Sequence, residues 1–300
     1  MQAPVTRRAF LIKTTMAATA LAITPWPVAS AIKLGYAAIT WGDNIEQAIQ
    51  QIAEAGFRGI QLRSNTLAMF GSKPQELLAM LEQHHLPLVM FSSGNANINT
   101  GDDEAVIKMH VDNARFVKSL KGTDMQITNS SRPKQGSPSK EDLQQFGRLL
   151  NEIGKRTADI GITTNYHNHM AQLGQTPEEV ETILANCDNR NVRLLLDIAH
   201  YQQGGGDPVK AISHYRERIK NIHLKDVRQL QGDGAQRYQF VELGQGTVNL
   251  PAVCKALTSI NFTGWGIVEL DAVPQKDKTP LQCANISKAY LESIGVHIAN

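Results

Sequence analysis

The chain has 300 residues, with 30 Lys+Arg against 28 Asp+Glu and a formal charge of +2, and no basic patch of the kind that nucleic acid selects. Its three cysteines, Cys187, Cys254 and Cys283, are widely spaced and include no CxxC pair. An odd, scattered set excludes a disulfide framework and a thiolate zinc site, and we read them as small buried residues or inert thiols.

The chain opens on Thr6-Arg7-Arg8-Ala9-Phe10-Leu11-Ile12-Lys13, followed by a mild apolar run from Met16 to Ile23 and the small residues Ala29-Ser30-Ala31. A paired arginine, a short hydrophobic stretch and small residues before a cut site compose a twin-arginine export signal over residues 1–31. The apolar run is too short to span a bilayer, which disfavours the competing reading of an uncleaved anchor. No later stretch reaches spanning length. The expected mature product is therefore a soluble periplasmic protein delivered by the twin-arginine machinery, which carries proteins already folded and often already loaded with a cofactor. Without Arg7, Arg8 and Lys13, residues 32–300 hold one acidic residue more than basic ones.

That remainder, about 270 residues, suffices for one large α/β domain. Short β-rich runs are expected at Lys33 to Ile39, Phe57 to Leu62, Pro87 to Phe91, Asp124 to Thr128, Ile162 to His167, Val192 to Asp197, Ile219 to His223 and Trp265 to Glu269. Amphipathic helices are predicted between them, at Asn44 to Ala55, Pro74 to His84, Glu104 to Leu120, Lys140 to Ile160, Pro177 to Asn186 and Pro208 to Arg218. Thr176-Pro177 and Asp207-Pro208 each set a capping residue before a proline at the first helical position. Strand-helix alternation of this length is the pattern of a single-domain (β/α)8 barrel. A doubly wound open sheet competes, but no GxGxxG or GxxxxGK[ST] follows the first strand.

Three late strands end on an ionisable residue: Val-Arg-Leu-Leu-Leu-Asp197, Ile-Lys-Asn-Ile-His223 and Gly-Ile-Val-Glu269. In a barrel all three point to the C-terminal mouth, where barrel enzymes keep their reacting groups. The fifth strand adds His167 and His169, which share a face because strand side chains alternate. Taken singly, Asp197 reads as a helix cap, His223 as a satisfied core histidine and Glu269 as a surface carboxylate. Together, carboxylates beside imidazoles at the ends of apolar strands are costly unless a cation compensates them. The mixed oxygen and nitrogen set, without thiolate, suits Mn2+, Mg2+, Co2+ or Zn2+.

The blocks Asp197-Ile198-Ala199-His200, Gly206-Asp207-Pro208, His223-Leu224-Lys225-Asp226-Val227, Glu242-Leu243-Gly244-Gln245-Gly246 and Gly264-Trp265-Gly266-Ile267-Val268-Glu269 resemble the xylose isomerase-like sugar isomerase/epimerase superfamily. The Gly-Asp-Pro and His-Leu-Lys-Asp-Val-Arg segments are most similar to inosose dehydratases. The resemblance implies a divalent metal, most simply Mn2+, held by Asp197, His223, Glu269 and a residue of the fifth strand. That last position is usually a glutamate, and here the block reads His167-Asn168-His169, so His167 takes the slot with His169 as the competing ligand. Gln61 likewise stands where relatives often carry glutamate.

The implied chemistry is removal of a proton beside a ketone by Glu269 or His169, through an enediolate, with His200 and Lys225 as donors to a departing or carbonyl oxygen. Orienting a ligand carboxylate is the competing role for His200, and a salt bridge with Asp226 or another rim carboxylate the competing role for Lys225. Reprotonation gives isomerisation or epimerisation, and loss of a β-oxygen gives a dehydratase or lyase. Losing the second glutamate argues against a symmetrical two-base epimerase and for elimination. Export and the lack of a phosphate cradle favour a free sugar, keto-glycoside or cyclic polyol. Trp41 and Gln61 are expected to touch that substrate, with a core role as the alternative for Trp41. The stretch Gln229 to Tyr238 and the Glu242 to Gly246 segment are expected to form a lid or rim. A non-catalytic exported carbohydrate- or metal-binding barrel is the competing function, and the oligomeric state, including a homo-oligomer, stays open.

Overall fold

A computed structural model describes residues 32–128, 130–133, 135–231 and 237–297. The expected export segment, 1–31, and the centre of the expected lid, 232–236, lie outside the described residues.

Eight parallel strands close into one barrel: β1 (Lys33–Ala37), β2 (Ile60–Arg63), β3 (Leu88–Asn95), β4 (Asp124–Thr128), β5 (Thr163–His167), β6 (Val192–Asp197), β7 (Ile219–Leu224) and β10 (Trp265–Val268), each paired with its neighbours in sequence and β10 with β1. The strands therefore fall where apolar runs and turn residues placed them. β3 runs further than expected, to Asn95, because its Ser-Ser-Gly-Asn tail still pairs with β4 across an irregular register in which Gly94 takes φ +97°. Between β7 and β10 an antiparallel hairpin, β8 (Asp226–Gln229) and β9 (Tyr238–Val241), replaces a plain loop.

The helices are α1 (Ile45–Glu54), α2 (Thr66–Phe70), α3 (Pro74–Gln83), α4 (Asp103–Ser119), α5 (Lys140–Ala158), α6 (Pro177–Ala185), α7 (Ile198–Gln203), α8 (Pro208–His214), α9 (Leu250–Ser259) and α10 (Pro280–Ser293). In α1 the buried residues Ile45, Ala48, Ile49 and Ile52 make one apolar stripe against the sheet. Thr176 accepts from the Glu179 N–H, and Asp207 from those of Val209 and Lys210, as the cap-plus-proline pattern requires. α8 stops at His214, four residues early, because Arg218 and Ile219 N–H turn back onto the Tyr215 carbonyl to start β7. No helix of the described residues is long and apolar enough to cross a membrane.

The main core lies between the sheet and its helices, whereas Ala37, Val89, Met90, Leu195 and Ile267 form a separate small cluster that fills the barrel. Below that plug, the Asp124 carboxylate accepts from the amides of Asn165 (3.1 Å) and Asn221 (3.3 Å). Above it, two residues further along the same inward faces, come His167, Asp197, His223 and Glu269. The period of two thus stacks the interior as polar, apolar, polar.

One buried base lies outside the barrel. His110 of α4 has Nδ1 2.6 Å from Ser93 Oγ and an unpartnered Nε2, and burial, partly offset by the Asn95 backbone, lowers its pKa from 6.5 to about 4. The folded state then binds fewer protons than the unfolded state below pH 6.5, so stability falls as pH drops from about 6.5 to 4, by roughly 3 kcal/mol from this group. Denaturant titrations of the wild type and His110→Gln should show a stability difference that shrinks by that order over this window; a constant difference would mean that His110 does not titrate so.

Candidate active site

Each site residue owes its position to strand register. Asp197 and His223 are paired across β6 and β7, Leu195 is paired with His167, and Ile267 with His223. Glu269, one residue past β10, still donates its N–H to the Leu224 carbonyl (3.1 Å) and so keeps the inward phase of Ile267. One nitrogen or oxygen from each of His167, Asp197, His223 and Glu269 lies within 4.8 Å of the others, and all four residues are buried.

Asp197 divides its carboxylate. Oδ1 caps α7, accepting from Ala199 N (3.0 Å) and His200 N (2.8 Å), while Oδ2 makes no hydrogen bond. Around Oδ2 stand His167 Nε2 and His223 Nδ1, both at 3.5 Å, with Lys225 Nζ at 3.8 Å and His200 Nε2 at 3.9 Å. Asn168 fixes the backbone, its amide donating to Asp197 O (3.1 Å) and accepting from Asp197 N (2.9 Å).

Gln61 sets the tautomer of His223. Its Nε2 donates to Glu269 Oε2 (2.9 Å), so its Oε1 is left to accept from His223 Nε2 (2.8 Å). A neutral His223 then presents a bare Nδ1 toward both Asp197 Oδ2 and Glu269 Oε1, each 3.5 Å away. Both nitrogens of His167 lack a hydrogen bond as well. Burial, only partly offset by Asp197, brings the His167 pKa down to about 4 and keeps the ring neutral. Two imidazole lone pairs and the free Asp197 Oδ2 converge without hydrogen bonds beside the Glu269 carboxylate, a set that fits a divalent cation. His167 is the fourth member; His169 is not among the four.

Lys225 is fully buried beside this cluster. Its Nζ donates to Asp271 Oδ1 (2.6 Å) and Glu269 Oε1 (3.0 Å), lies 3.3 Å from His200 Nε2, and sits under the Phe240 ring, 4.2 Å from its centroid. Burial alone would neutralise the ammonium, but Asp271, Glu269 and Asp197 outweigh it and hold the pKa above the ordinary lysine value. Burial would likewise raise the Glu269 carboxyl, yet His223, Lys225 and His167 keep it below the usual carboxylate range.

Of the two expected salt bridges for Lys225, the one with another rim carboxylate is present, to Asp271, which the strand pattern did not single out, beside the one to Glu269; Asp226 is not a partner. The Asp226 carboxylate faces away and collects the N–H groups of Val227, Gly244, Gly246 and Val248 at 2.8–3.0 Å. This corrects the reading of Glu242 to Gly246 as a lid: the segment is a fixed turn wrapped on Asp226. A Cβ on Gly246 would stand 2.2 Å from Asp226 Oδ1, and Gly244 takes φ +82°, so both positions need glycine.

Two further expectations change. Trp41 packs edge-on to Tyr36 and donates its indole N–H to Gln51 Oε1 (2.7 Å), which places it in the core and off the substrate cleft. Gln61 is buried with both ends of its amide engaged, so it orients His223 and Glu269 instead of meeting substrate.

A cleft of about 560 Å3 is lined by Met170, Ala171, Ala272, Val273 and Pro274, with Arg237 and the β9 residues Tyr238, Gln239 and Phe240. His169, His200 and Asp271 complete the lining, and the last two connect it to the cluster through their contacts with Lys225. One residue orients both histidines: the Met170 carbonyl accepts from His169 Nδ1 (2.7 Å), and its N–H donates to His200 Nδ1 (3.2 Å). His169 therefore offers Nε2 as a lone pair and His200 offers Nε2–H, with the rings 3.9 Å apart.

Residues 49–293 match the family described as xylose isomerase-like TIM barrel. Among curated proteins, the chain is 26% identical to an inosose dehydratase of Lacticaseibacillus casei, over 87% of this chain and 97% of that protein. It is 27% identical to an inosose dehydratase of Mesomycoplasma hyopneumoniae, over 88% and 96%. Among solved structures, it resembles the IOLI protein with a bound zinc atom (TM-score 0.73, 18% identity, 88% of this chain and 98% of that one). It also resembles the probable 3-DHS dehydratase AsbF of Bacillus anthracis (TM-score 0.70, 18% identity, 86% and 99%). At these identities the two structures attest the fold.

Adding Zn2+ or Mn2+ to chelator-treated protein should stabilise it by about 2.7 kcal/mol at a hundredfold excess over Kd, a rise of roughly 5–10 °C in melting temperature. Gln61→Ala should keep the fold and weaken the metal by about 10–100-fold, since it frees the His223 ring. Unchanged affinity in that variant would refute the orienting role.

Proposed function

Because the chain belongs to the xylose isomerase-like TIM barrel family, we propose that it is a divalent-metal-dependent enzyme that enolises a keto-sugar, keto-glycoside or inosose and completes the reaction by elimination, as a dehydratase or lyase. The carrying observation is the chemical asymmetry of the site: His167 fills the slot where a symmetrical epimerase would set a second carboxylate, and a buried, charged Lys225 stands beside Glu269. The inosose dehydratases found among its relatives support the same reading.

Asp197, His167, His223 and Glu269 would hold the metal. When bound, the cation supplies Lewis-acid polarisation of a carbonyl and its neighbouring hydroxyl. We read it as Mn2+, which suits a mixed oxygen and nitrogen set; the zinc atom in the IOLI structure speaks for Zn2+.

The protein's own groups divide the proton work. Both Glu269 oxygens are already engaged, by Gln61 and Lys225, whereas His169 Nε2 carries no hydrogen bond among the described residues. His169 therefore takes the proton α to the ketone. Lys225, held by Asp271, gives a proton to the oxygen leaving the β-carbon, and His200 Nε2–H steadies the carbonyl side. One C–H and one C–O bond break, water or an alcohol departs, and an unsaturated ketone remains. Without a β-leaving group, return of the proton from the same groups gives isomerisation.

The proposed export supports an unphosphorylated substrate, since sugar phosphates are scarce outside the cytoplasm. Arg7-Arg8 and Ala29-Ser30-Ala31 support export to the periplasm by the twin-arginine route.

Incubating metal-loaded protein with keto-sugars and inososes in deuterated water should place deuterium on the α-carbon and release an unsaturated product. Lys225→Met should lower turnover by about 10²–10⁴-fold while the metal still binds. No deuterium uptake with any substrate of a broad panel would leave a carbohydrate- or metal-binding barrel as the function.

A further inference from the structure

The β5–α6 loop carries His169 and Met170, yet among the described residues it joins the barrel ladder nowhere past β5. A compact pair of charges holds its far side. Arg132, from the β4–α5 connection, donates Nη1 to Glu179 Oε2 (2.6 Å) and to the Gln172 carbonyl (3.1 Å). The same Glu179 oxygen accepts from Gly174 N (3.0 Å) and Gln175 N (2.9 Å). The two side chains are only 16% and 10% exposed. A bridge between Ser131 and Gln172, and Leu173 N donating to Ser130 O (2.9 Å), add backbone support at the same spot.

A buried ion pair is weak evidence of a role in stability, because its desolvation cost offsets most of its attraction. This one fixes the far end of a stretch whose near end is Met170, two residues before Gln172, and Met170 sets the hydrogen bonds of both His169 and His200. Ala171 between them takes φ +60°, a conformation that needs fixed neighbours on both sides.

We infer that Arg132 and Glu179 are positioning residues that hold the Met170 peptide units in place, and so fix the tautomers of His169 and His200. The inference rests on the proposed use of His169 as base, but its first test does not.

That test is the 15N imidazole spectrum of zinc-loaded protein, with the histidines assigned by single replacement. In the wild type His169 should carry its proton on Nδ1 and His200 on Nε2. Glu179→Gln and Arg132→Met should each turn both signals into averages of two tautomers, with zinc affinity within about threefold of the wild type, and Arg132→Lys should restore part of the order. On a substrate found in the exchange experiment, kcat should fall about tenfold or more with KM little changed, as small misplacements of a reacting group do. Variants that melt earlier but keep both tautomers and kcat overturn the inference, as does a parallel loss of zinc affinity, which would put the effect in the metal cluster. Altered spectra in a protein without turnover on any substrate would uphold the positioning role and count against the proposed function alone.

Discussion

Asp197 gives one oxygen to a helix and leaves the other buried without a hydrogen bond. A fully buried carboxylate in that position is tolerable only if positive charge stands close, and the surrounding architecture answers that need. His167 and His223 come in from adjacent strands, Lys225 from the residue after β7, and Glu269 closes the ring from the last strand. Gln61 and Asn168, both uncharged, spend their amides keeping those groups in register. The demand for compensating charge thus explains polar residues on five strands that otherwise read as apolar.

Around this centre the fold separates what must be rigid from what meets ligand. The histidines and carboxylates of the cluster sit on strand ends, whose positions follow from ladder pairing. The cleft walls come from the β5–α6 loop, the segment after β10 and the β8–β9 hairpin. Asp226 joins the two regions: it opens the hairpin and gathers four N–H groups from it and the turn that follows, so the hairpin's base is fixed to the barrel.

The barrel and three of the four cluster residues were legible in the sequence because both rest on a period of two: an apolar strand that ends on Asp, His or Glu announces which way that residue faces. His167 was legible by the same rule, although choosing it over His169 required the turn of the chain past β5. Asp271 was hidden because it lies beyond the end of β10, where alternation no longer applies. Arg132 and Glu179 were hidden because they meet from the β4–α5 connection and the first turn of α6, 47 residues apart, and no local pattern encodes that. The Glu-Leu-Gly-Gln-Gly segment is expected from sequence to form a lid or rim, while its glycines answer to crowding, by the Asp226 carboxylate at Gly246 and by the Tyr290 ring at Gly244. Trp41 and Gln61 were placed at the right end of the barrel, but their hydrogen bonds, set by α1 and by Glu269, turn them from the cleft.

The plug of Ala37, Val89, Met90, Leu195 and Ile267 lies between the Asp124 layer and the layer of His167, Asp197, His223 and Glu269. Among the described residues that plug closes the barrel, so reactant and product would share the doorway at the mouth. A product still held there would occupy the place of the next substrate, so it would act as a competitive inhibitor.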